Sequence, residues 1–508
     1  MPPDLPGYYY DAQKNRYFPL KGPIPGASRT SSSSSSAHDH KRISKSTPRV
    51  YSCSKADLRT VKLIQDRELY GDVKGKCNFK EKFQNLQASK PVVWKYHGTD
   101  RIGDSALQEI PINVHTSEGQ MESSVLLTGN RNGSLSFFGV GEGDQHIGRG
   151  VNCSPEIVWP SNGENQVFEK VPRDIWQLSG ASLQMSSNIS SIKLFKKRFP
   201  LVHDDVSDIQ HALISTLGSD TSGGSVYILN LVEPLDFNRS IPLIRRRIHE
   251  VASFNCSIWT ADCGSSGGRA VIGTSMGAAS VDMGTGRISW ILHGKSDVFA
   301  LQLIHSQETV VLCGLRNGMI VTVDTRERQE VVKRLLRHRI PYSPVGRNSR
   351  TSSQQWFKLT GNIFPSCTVK MPSSISSLAS LQFDDRYFLA SSMDGTVRLY
   401  DHRLIQRGAV QTYDGHANSH TRIQLGVDPS ETFVVSGGED CYFRLWNIKS
   451  GKLIFEDKFV DAVPSTICWR RAERFLRGQD GYRGWEEHIS GAWLGSQGGL
   501  HYVSWPRT

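Results

Sequence analysis

The sequence lacks the long apolar runs that membrane proteins and secreted precursors need. No stretch of the 508 residues approaches the roughly 20 apolar residues that a bilayer span requires. The first residues, MPPDLPGYYYD, contain no apolar core of a signal peptide. We therefore expect no membrane partner and a location in the nucleus, the cytoplasm or both.

Cysteine is sparse, and the common enzyme motifs are missing. Nine cysteines are scattered without a CxxC pair, which is typical of a reduced intracellular protein without a structural zinc site. The sequence has no GxxxxGK[ST], no GxGxxG after a strand, no GxSxG and no HExxH. The pairs His416/His420 and His38/His40 fall in loop or polar tracts, so a structural or exposed role is favoured over metal binding. We expect no enzymatic activity, no metal and no cofactor.

Positive charge is concentrated at one end of the chain. The net charge is +11, of which residues 1–90 carry +9 and the remainder only +2. A broad basic face on the main body is thus disfavoured, and nucleic acid is an unexpected partner. The basic stretch KRISKSTPR (41–49) remains open to three interpretations: a nuclear-import signal, a phosphate-contacting arm or a solvated linker. Its serines and threonines are also candidates for phosphorylation.

Differences in residue composition divide the chain into four parts. Residues 1–22 are rich in aromatic side chains, and residues 23–54 are a Ser-rich, basic tract that we expect to be disordered because it has little apolar surface to bury. Residues 55–90 have apolar residues three and four apart among charges, which predicts helix. Residues 91–508 consist of short Val/Ile/Leu/Phe/Tyr-rich runs broken by Gly, Asn, Asp and Ser, which predicts many antiparallel strands.

One pattern recurs within residues 91–508: a strand of small residues, a tight turn and an alternating strand. It occurs seven times, at residues 125–138, 213–231, 270–283, 310–326, 387–403, 433–449 and 491–505. The closest spacings match the 40–45 residues of a four-stranded blade. We predict an all-β, seven-bladed WD-repeat β-propeller with a partly disordered, partly helical N-terminal extension. A gap of 91 residues between the first two turns leaves room for an eighth, degenerate blade.

The fifth and sixth copies, at residues 387–403 and 433–449, resemble the WD-repeat family. Gly415-His416 is followed by GED and then LWN. The resemblance implies a structural network among a histidine, a strand serine, a turn aspartate and a tryptophan. Here those residues are His416, Ser436, Asp440 and Trp446.

Two adjacent copies share Asp-x-Arg just after their third strand. These boxes are Asp324-Thr-Arg326, preceded by Val323, and Asp401-His-Arg403, preceded by Tyr400. The aspartate can accept hydrogen bonds from turn amides, and the arginine two positions later offers a planar donor fork. Such paired forks suit acidic or carbonyl-rich protein surface. An aspartate in this slot with a nearby basic residue also arises by chance in WD repeats. Asn447 and Lys449 form a degenerate third copy.

These boxes resemble the W-D-x-R box of substrate receptors for cullin-4 ubiquitin ligases. The opening string LPGYYYDAQKNRYFPL (5–20) further resembles the start of the cullin-4-associated factor 4, or WD-repeat protein twenty-one, family. The resemblance implies docking to the adaptor damage-specific DNA-binding protein one, and through it to cullin-4 and its RING subunit. The implied adaptor contacts are Tyr400, Asp401, Arg403, Asp324 and Arg326.

The N-terminal aromatic segment is a candidate docking element. An apolar, aromatic segment is costly to leave in water, and aromatic side chains often anchor interfaces. We expect it to dock on a partner or on the propeller, although a solubilising tail remains the simpler alternative. The residues in question are Tyr8, Tyr9, Tyr10, Asp11, Tyr17 and Phe18.

The predicted function is substrate recognition for a cullin-4 ligase, with an unidentified protein substrate. The alternative is a general WD-repeat scaffold of RNA or chromatin complexes with no ligase role. Binding of nucleic acid through residues 41–82 would weaken steeply with salt, because counterion release dominates such binding. Adaptor docking through two arginines should depend on salt much less.

Overall fold

The computed structural model of the protein describes fifteen stretches of the chain. They are residues 8–11, 16–19, 79–116, 119–141, 150–160, 174–195, 211–219, 221–232, 244–294, 296–304, 307–326, 331–336, 356–361, 363–470 and 491–505. The segment 23–54, for which we predicted disorder, and residues 55–78 of the predicted helical segment lie outside them. The chain divides into two units, Met1–Arg59 and Thr60–Thr508.

The described part of the first unit is a pair of antiparallel strands. β1 spans Tyr8–Asp11 and β2 spans Arg16–Pro19. Tyr8 pairs with Pro19, and Asp11 pairs with Arg16. The aromatic segment of the sequence therefore contains a β-hairpin backbone, while its docking role stays a prediction.

The described part of the second unit holds seven antiparallel sheets, each built around four strands. Blade 1 contains β4 (Ala106–Thr116), β5 (Gly119–Gly129), β6 (Ser134–Gly141) and β9 (Asp174–Gln184), with β7 (Gly150–Cys153) added at its edge. Blade 2 contains β10 (Ile189–Phe195), β11 (His211–Thr216), β12 (Ser225–Asn230) and β13 (Ile248–Ser253). Blade 3 contains β14 (Ile258–Cys263), β15 (Arg269–Thr274), β16 (Gly277–Asp282) and β17 (Ile288–Gly294), extended by β22 (Trp356–Gly361) and β21 (Val331–Leu336).

The remaining four blades complete the propeller. Blade 4 contains β18 (Val298–Ile304), β19 (Gln307–Leu315), β20 (Met319–Asp324) and β23 (Ile363–Lys370). Blade 5 contains β24 (Ile375–Ser380), β25 (Tyr387–Ser392), β26 (Val397–Asp401) and β27 (Gln411–Tyr413). Blade 6 contains β28 (Leu425–Val427), β29 (Phe433–Gly437), β30 (Phe443–Asn447) and β31 (Leu453–Asp457). Blade 7 contains β32 (Thr466–Trp469), β33 (Ala492–Ser496), β34 (Gly499–Ser504) and β3 (Val92–Tyr96), with β8 (Pro155–Trp159) at its edge.

The seven blades form a closed ring, which confirms the predicted seven-bladed propeller. The first strands of successive blades contact one another in order, and β32 of blade 7 contacts β4 of blade 1. Each predicted internal copy coincides with the second and third strands of one blade. These central strands are buried on both faces, as in β29 and β30, because each blade is covered by a neighbour on either side.

The long gap after the first copy does not hold an eighth blade in the described part of the chain. Its strands β7 and β8 instead lengthen existing sheets: β7 pairs with β9 of blade 1, and β8 pairs with β3 of blade 7. The described strands that this gap adds, β7 and β8, are therefore insertions at blade edges.

The ring closes with a strand from the N-terminal side of the propeller. β3 is the fourth strand of blade 7 and pairs with the C-terminal strand β34, so that Val92 faces Ser504 and Lys95 faces His501. Between blades 7 and 1, the indole Nε1 of Trp493 donates to the Glu109 carboxylate over 2.9 Å. The Ser465 hydroxyl donates to the Asp104 carbonyl over 2.7 Å.

In the described part of the chain, two helices and a 3₁₀ turn accompany the strands. Helix α1, Phe79–Ala88, precedes β3, and helix α2, Ile244–Arg247, precedes β13. A 3₁₀ turn spans Ile405–Arg407. Among the helices that the structure describes, none is long and apolar enough to cross a membrane.

The direction of the strands defines two faces of the propeller. Within a blade the strands alternate in direction, so the start of the first strand and the turn between the second and third strands share one face. The third strand ends at the opposite face. We call the face with the ends of the third strands, which carries Arg326 and Arg403, the box face. The face where the first strands start is the mouth face.

Candidate functional site

Both Asp-x-Arg boxes lie at the same place in adjacent blades, on the box face. Asp324 is the last residue of β20, the third strand of blade 4, and Asp401 is the last residue of β26, the third strand of blade 5. The first strands of these blades, β18 and β24, pack against each other. The two arginines therefore leave neighbouring blades in equivalent positions.

In the blade 4 box, the arginine folds back on its own aspartate. Asp324 Oδ1 accepts from the Arg326 amide over 2.9 Å, and Arg326 Nη2 donates to Asp324 Oδ2 over 2.8 Å. The Arg326 side chain is nevertheless 64% exposed, whereas that of Asp324 is 3% exposed. The hydrogen bond from the Arg326 guanidinium holds the pKa of Asp324 below its usual value, so the carboxylate is charged at neutral pH.

In the blade 5 box, the aspartate holds the turn and the arginine is less tightly tied. Asp401 Oδ1 accepts from the Arg403 amide over 2.8 Å, while Arg403 Nε lies 3.5 Å from the same oxygen. The Arg403 side chain is 61% exposed. Burial acts to raise the pKa of Asp401, but the amide and guanidinium of Arg403 outweigh it and the net pKa is lowered. Arg403 can thus turn its donors toward a partner at little cost to the turn.

Not every predicted adaptor contact is accessible. Tyr400 is only 2% exposed, and its ring stacks on Phe388 at 5.4 Å within the core of blade 5. Val323 before the other box is fully buried. A partner reaches neither side chain, because the third strand is covered by the adjoining blade. Of the five predicted contacts, Arg326 and Arg403 are the exposed ones, and the two aspartates act by holding them.

The degenerate third copy of the box, with Asn447 in the place of the aspartate, makes different contacts. Asn447 is 1% exposed, and its Nδ2 donates to Asn85 Oδ1 of helix α1 over 3.0 Å. Its Oδ1 accepts from the Ser450 amide over 2.9 Å. At the C-terminal end of the helix, Trp505 Nε1 donates to the Ala88 carbonyl over 3.0 Å. The position equivalent to the box aspartate in blade 6 therefore fastens α1.

The predicted WD network is present only in part. His416 Nε2 lies 3.2 Å from the Ser436 hydroxyl and 3.0 Å from the Gly437 carbonyl oxygen. Burial lowers the pKa of His416, which favours its neutral form. Trp446 donates instead to the Asp414 carbonyl over 2.9 Å, although its ring still meets that of His416 edge-on.

Asp440 pairs with a buried arginine that the sequence did not point out. Arg444 Nη1 donates to Asp440 Oδ1 over 3.0 Å, and Arg444 Nε donates to Glu456 Oε1 over 2.8 Å. The Arg444 side chain is 5% exposed. The turn aspartate is thus neutralised by the guanidinium in this blade, rather than linked to the histidine as the WD-repeat resemblance implied.

A second feature that sequence reasoning missed is a cavity in the central channel. Its volume is about 360 Å³, and it is lined mostly by the first strands of the blades. Many of the lining residues are Ser, Thr, Asn or Gln. Arg422 points into it from the segment before β28. No local pattern marks this residue, because all seven blades contribute to the wall. No group of three or more side chains suited to hold a metal occurs among the described residues.

Comparisons with known proteins agree with the resemblance seen in the sequence. Residues 357–466 match the family model of the DDB1- and CUL4-associated factor 4 beta-propeller domain. Human DDB1- and CUL4-associated factor 4 is 35% identical over 82 residues, which is 16% of this chain and 16% of that protein. Human DDB1- and CUL4-associated factor 4-like protein 2 is also 35% identical over 82 residues, or 20% of its length. WD repeat-containing protein 21 of Schizosaccharomyces pombe is 24% identical over 181 residues, 35% of this chain and 34% of that protein.

The matches cover a limited part of each protein. The match to the family model includes the box with Asp401 and Arg403. It begins at residue 357, after the box with Asp324 and Arg326. The similarity lies where the internal copies best fit the WD pattern, in blades 5 and 6. Residues 357–466 are thus similar to the DDB1- and CUL4-associated factor 4 β-propeller domain, in agreement with the resemblance in the sequence, and the chain spans less than a fifth of human DDB1- and CUL4-associated factor 4.

Proposed function

We propose that this protein is a substrate receptor of a cullin-4 RING ubiquitin ligase and that it docks to the adaptor, damage-specific DNA-binding protein one (DDB1), through the box face. The observation that carries the proposal is the pair of equivalent, more than half exposed arginines, Arg326 and Arg403, on adjacent blades. The names of the similar proteins, which state an association with DDB1 and CUL4, support it.

The proposed mechanism is positional and uses no chemistry of the chain itself. The aspartates hold each turn, so the backbone that carries each arginine is in place before the adaptor binds, which lowers the cost of ordering it. A substrate held on another face would then stand close to the ligase, and its ubiquitination would gain from effective concentration. The nucleus and the cytoplasm both suit this role.

The test is capture of the adaptor and cullin-4 by the full chain and by the double variant Arg326→Ala/Arg403→Ala. Centrally placed interface arginines contribute about 2 kcal/mol or more, so we expect at least a tenfold loss of adaptor binding for Arg403→Ala alone. The double variant should lose more. Thermal melting of each variant confirms that it is folded.

A matched control is Arg316→Ala. Arg316 is 42% exposed and pairs with Asp297 over 2.9 Å, but it follows β19 in the turn between the second and third strands and so lies on the mouth face. We expect it to capture the adaptor as the wild type does. Equal capture by the double variant would move the contact away from the boxes. No capture by the wild type would leave the general scaffold as the better interpretation.

A further inference from the structure

An arginine, Arg422, lies at the mouth of the central channel. Arg422 donates through Nη1 to the backbone carbonyl of Trp259, and it forms no ion pair with any side chain that the structure describes. Arg422 is half-buried, so its charge is kept from full hydration. Burial, with the nearby charge of Arg131, lowers the pKa of Arg422 to about 10, which leaves it charged at neutral pH. An uncompensated charge of this kind costs stability unless a ligand uses it.

The charges around Arg422 are mostly positive. Besides Arg422, the described residues of the cavity wall include two cations, Arg131 and Lys193, and one carboxylate, Asp104. Arg131 Nε lies 3.9 Å from Asp104 Oδ2, and Lys193 Nζ lies 3.9 Å from Asp262 Oδ1. Neither distance is that of a close hydrogen-bonded pair, which leaves both cations able to interact with an anion.

The rest of the wall fits a peptide side chain. Trp259 and Phe299 pack edge to face with their ring centroids 4.9 Å apart, and both line the cavity. Small residues such as Ser190 and Ser376 line it as well, and their hydroxyls hydrogen-bond to Ser215 and Ser391 of the second strands. A few cations beside aromatic rings in one cavity of about 360 Å³ suit a single anionic group with short flanking chain. A nucleic acid strand would instead need a track of cations and stacking platforms.

From these contacts we infer that the mouth face is a recognition site for a peptide segment bearing an oxyanion, either a phosphorylated side chain or a carboxylate, with Arg422 as its principal donor. Arg422 precedes β28 and Trp259 lies at the start of β14, so the site is on the face opposite the boxes. If the proposed function holds, a segment bound here would be presented while the box face is occupied.

The experiment is a saturation-transfer NMR titration of the full chain with three peptides at constant ionic strength. The peptides are acetyl-Gly-phosphoSer-Gly-amide, acetyl-Gly-Glu-Gly-amide and acetyl-Gly-Ser-Gly-amide. We expect saturable binding of one or both anionic peptides and none of the serine peptide. Binding of the phosphopeptide alone would assign a phosphorylated segment, and binding of both would show that a carboxylate suffices.

Variants link the binding to Arg422. Arg422→Gln should weaken the anionic peptide at least tenfold, and Arg131→Gln should weaken it by a smaller factor. Arg407→Gln, an exposed arginine on the box side of blade 5, should leave it unchanged. Without peptide, Arg422→Gln should melt at the wild-type temperature or above it, because it removes an uncompensated charge.

Three results would overturn the inference. The first is no binding of either anionic peptide, and the second is equal binding of the peptide by Arg422→Gln and wild type. The third is a melting temperature of Arg422→Gln well below that of wild type, together with unchanged peptide binding by Arg131→Gln. Displacement of the peptide by an eight-residue oligothymidylate would assign the site to nucleic acid instead. The titration needs no adaptor, so its failure is separate from a failure of the proposed ligase role.

Discussion

Cys441 occupies a turn position at which most blades use glycine. Gly133, Gly277, Gly318, Gly395 and Gly499 hold positive φ in the equivalent turns, and Cys441 has a φ of 64°. A side chain in this left-handed region costs roughly 1–2 kcal/mol relative to glycine. Part of that difference is offset by the greater freedom of glycine in the unfolded chain.

We therefore expect Cys441→Gly to stabilise the protein by up to about 1 kcal/mol. The opposite change in blade 5, Gly395→Ala, should destabilise it by more than about 1 kcal/mol, because a Cβ there would stand 2.5 Å from the His416 carbonyl oxygen. Midpoints of urea unfolding measure both. A loss of stability in Cys441→Gly would show that the thiol makes a contact outweighing the backbone strain.

His501 links stability to pH. It lies in β34 and is 2% exposed, and burial lowers its pKa to about 4. The unfolded chain therefore binds this proton more readily than the folded one between about pH 6.5 and pH 4. The stability that depends on neutral His501 is fully present above pH 6.5 and is lost as the pH falls from about 6.5 to 4.

Replacement of His501 should flatten that pH dependence. For a pKa shift of this size, His501 lowers the free energy of unfolding by about 3 kcal/mol between pH 6.5 and pH 4. We expect His501→Gln to remove most of it, whereas His249→Gln, at an exposed position, should retain the wild-type slope. Urea unfolding at pH 7, 6, 5 and 4 measures the slope. Parallel curves for His501→Gln and wild type would contradict the assignment.

At the scale of elements, helix α1 depends on its contacts with the propeller. A helix of 10 residues is marginal by itself in water. Ala88 at its end is fully buried, and Asn85 accepts from the buried Asn447 amide over 3.0 Å. Tertiary contacts therefore stabilise it more than local propensity does.

Asn85→Ala separates these two contributions. Alanine has the higher helix propensity, but the change leaves a buried donor of Asn447 without this acceptor, at a cost of about 1–3 kcal/mol. We expect backbone amides of residues 79–88 to exchange with deuterium at least about fivefold faster, while those of β11 and β12 exchange as in wild type. Slower exchange in α1 would mean that propensity outweighs docking.

At the scale of the whole molecule, the ring depends on a strand from far away in the sequence. β3 pairs with β34 across more than 400 residues, and without it the outer edge of blade 7 would be exposed for pairing with other chains. The contacts of Trp493 with Glu109 and of Ser465 with Asp104 join blade 7 to blade 1. Closure is therefore shared by a strand and by a few buried polar contacts.

Two truncations test this closure. Deletion of residues 1–90 keeps β3, and deletion of residues 1–97 removes it; both remove α1, so that the helix is matched. We expect the shorter deletion to melt in one cooperative transition and the longer one to lose that transition or to aggregate. Light scattering and calorimetry measure both. Equal melting of the two proteins would show that β3 does not carry the closure.

The amino-acid sequence by itself determined what depends on neighbouring residues. The seven strand-turn-strand copies, their turns and the Asp-x-Arg geometry arise within ten or so residues, because strand alternation and the hydrogen bond from residue i+2 to an aspartate are local. The repeated blade unit and the outward position of Arg326 and Arg403 therefore follow from the sequence alone, whereas the choice of seven blades over eight does not. The family resemblance was strongest where these local patterns are most regular, in blades 5 and 6.

Only the tertiary structure decided what depends on distant residues. It placed Tyr400 in the core, used Asn447 to hold a helix and made β7 and β8, from the 91-residue gap, into edge strands. It also set Arg422 in a cavity whose wall is drawn from blades far apart in the chain. Burial and charge pairing depend on which surfaces come into contact when the ring closes. Local sequence patterns do not predict those contacts.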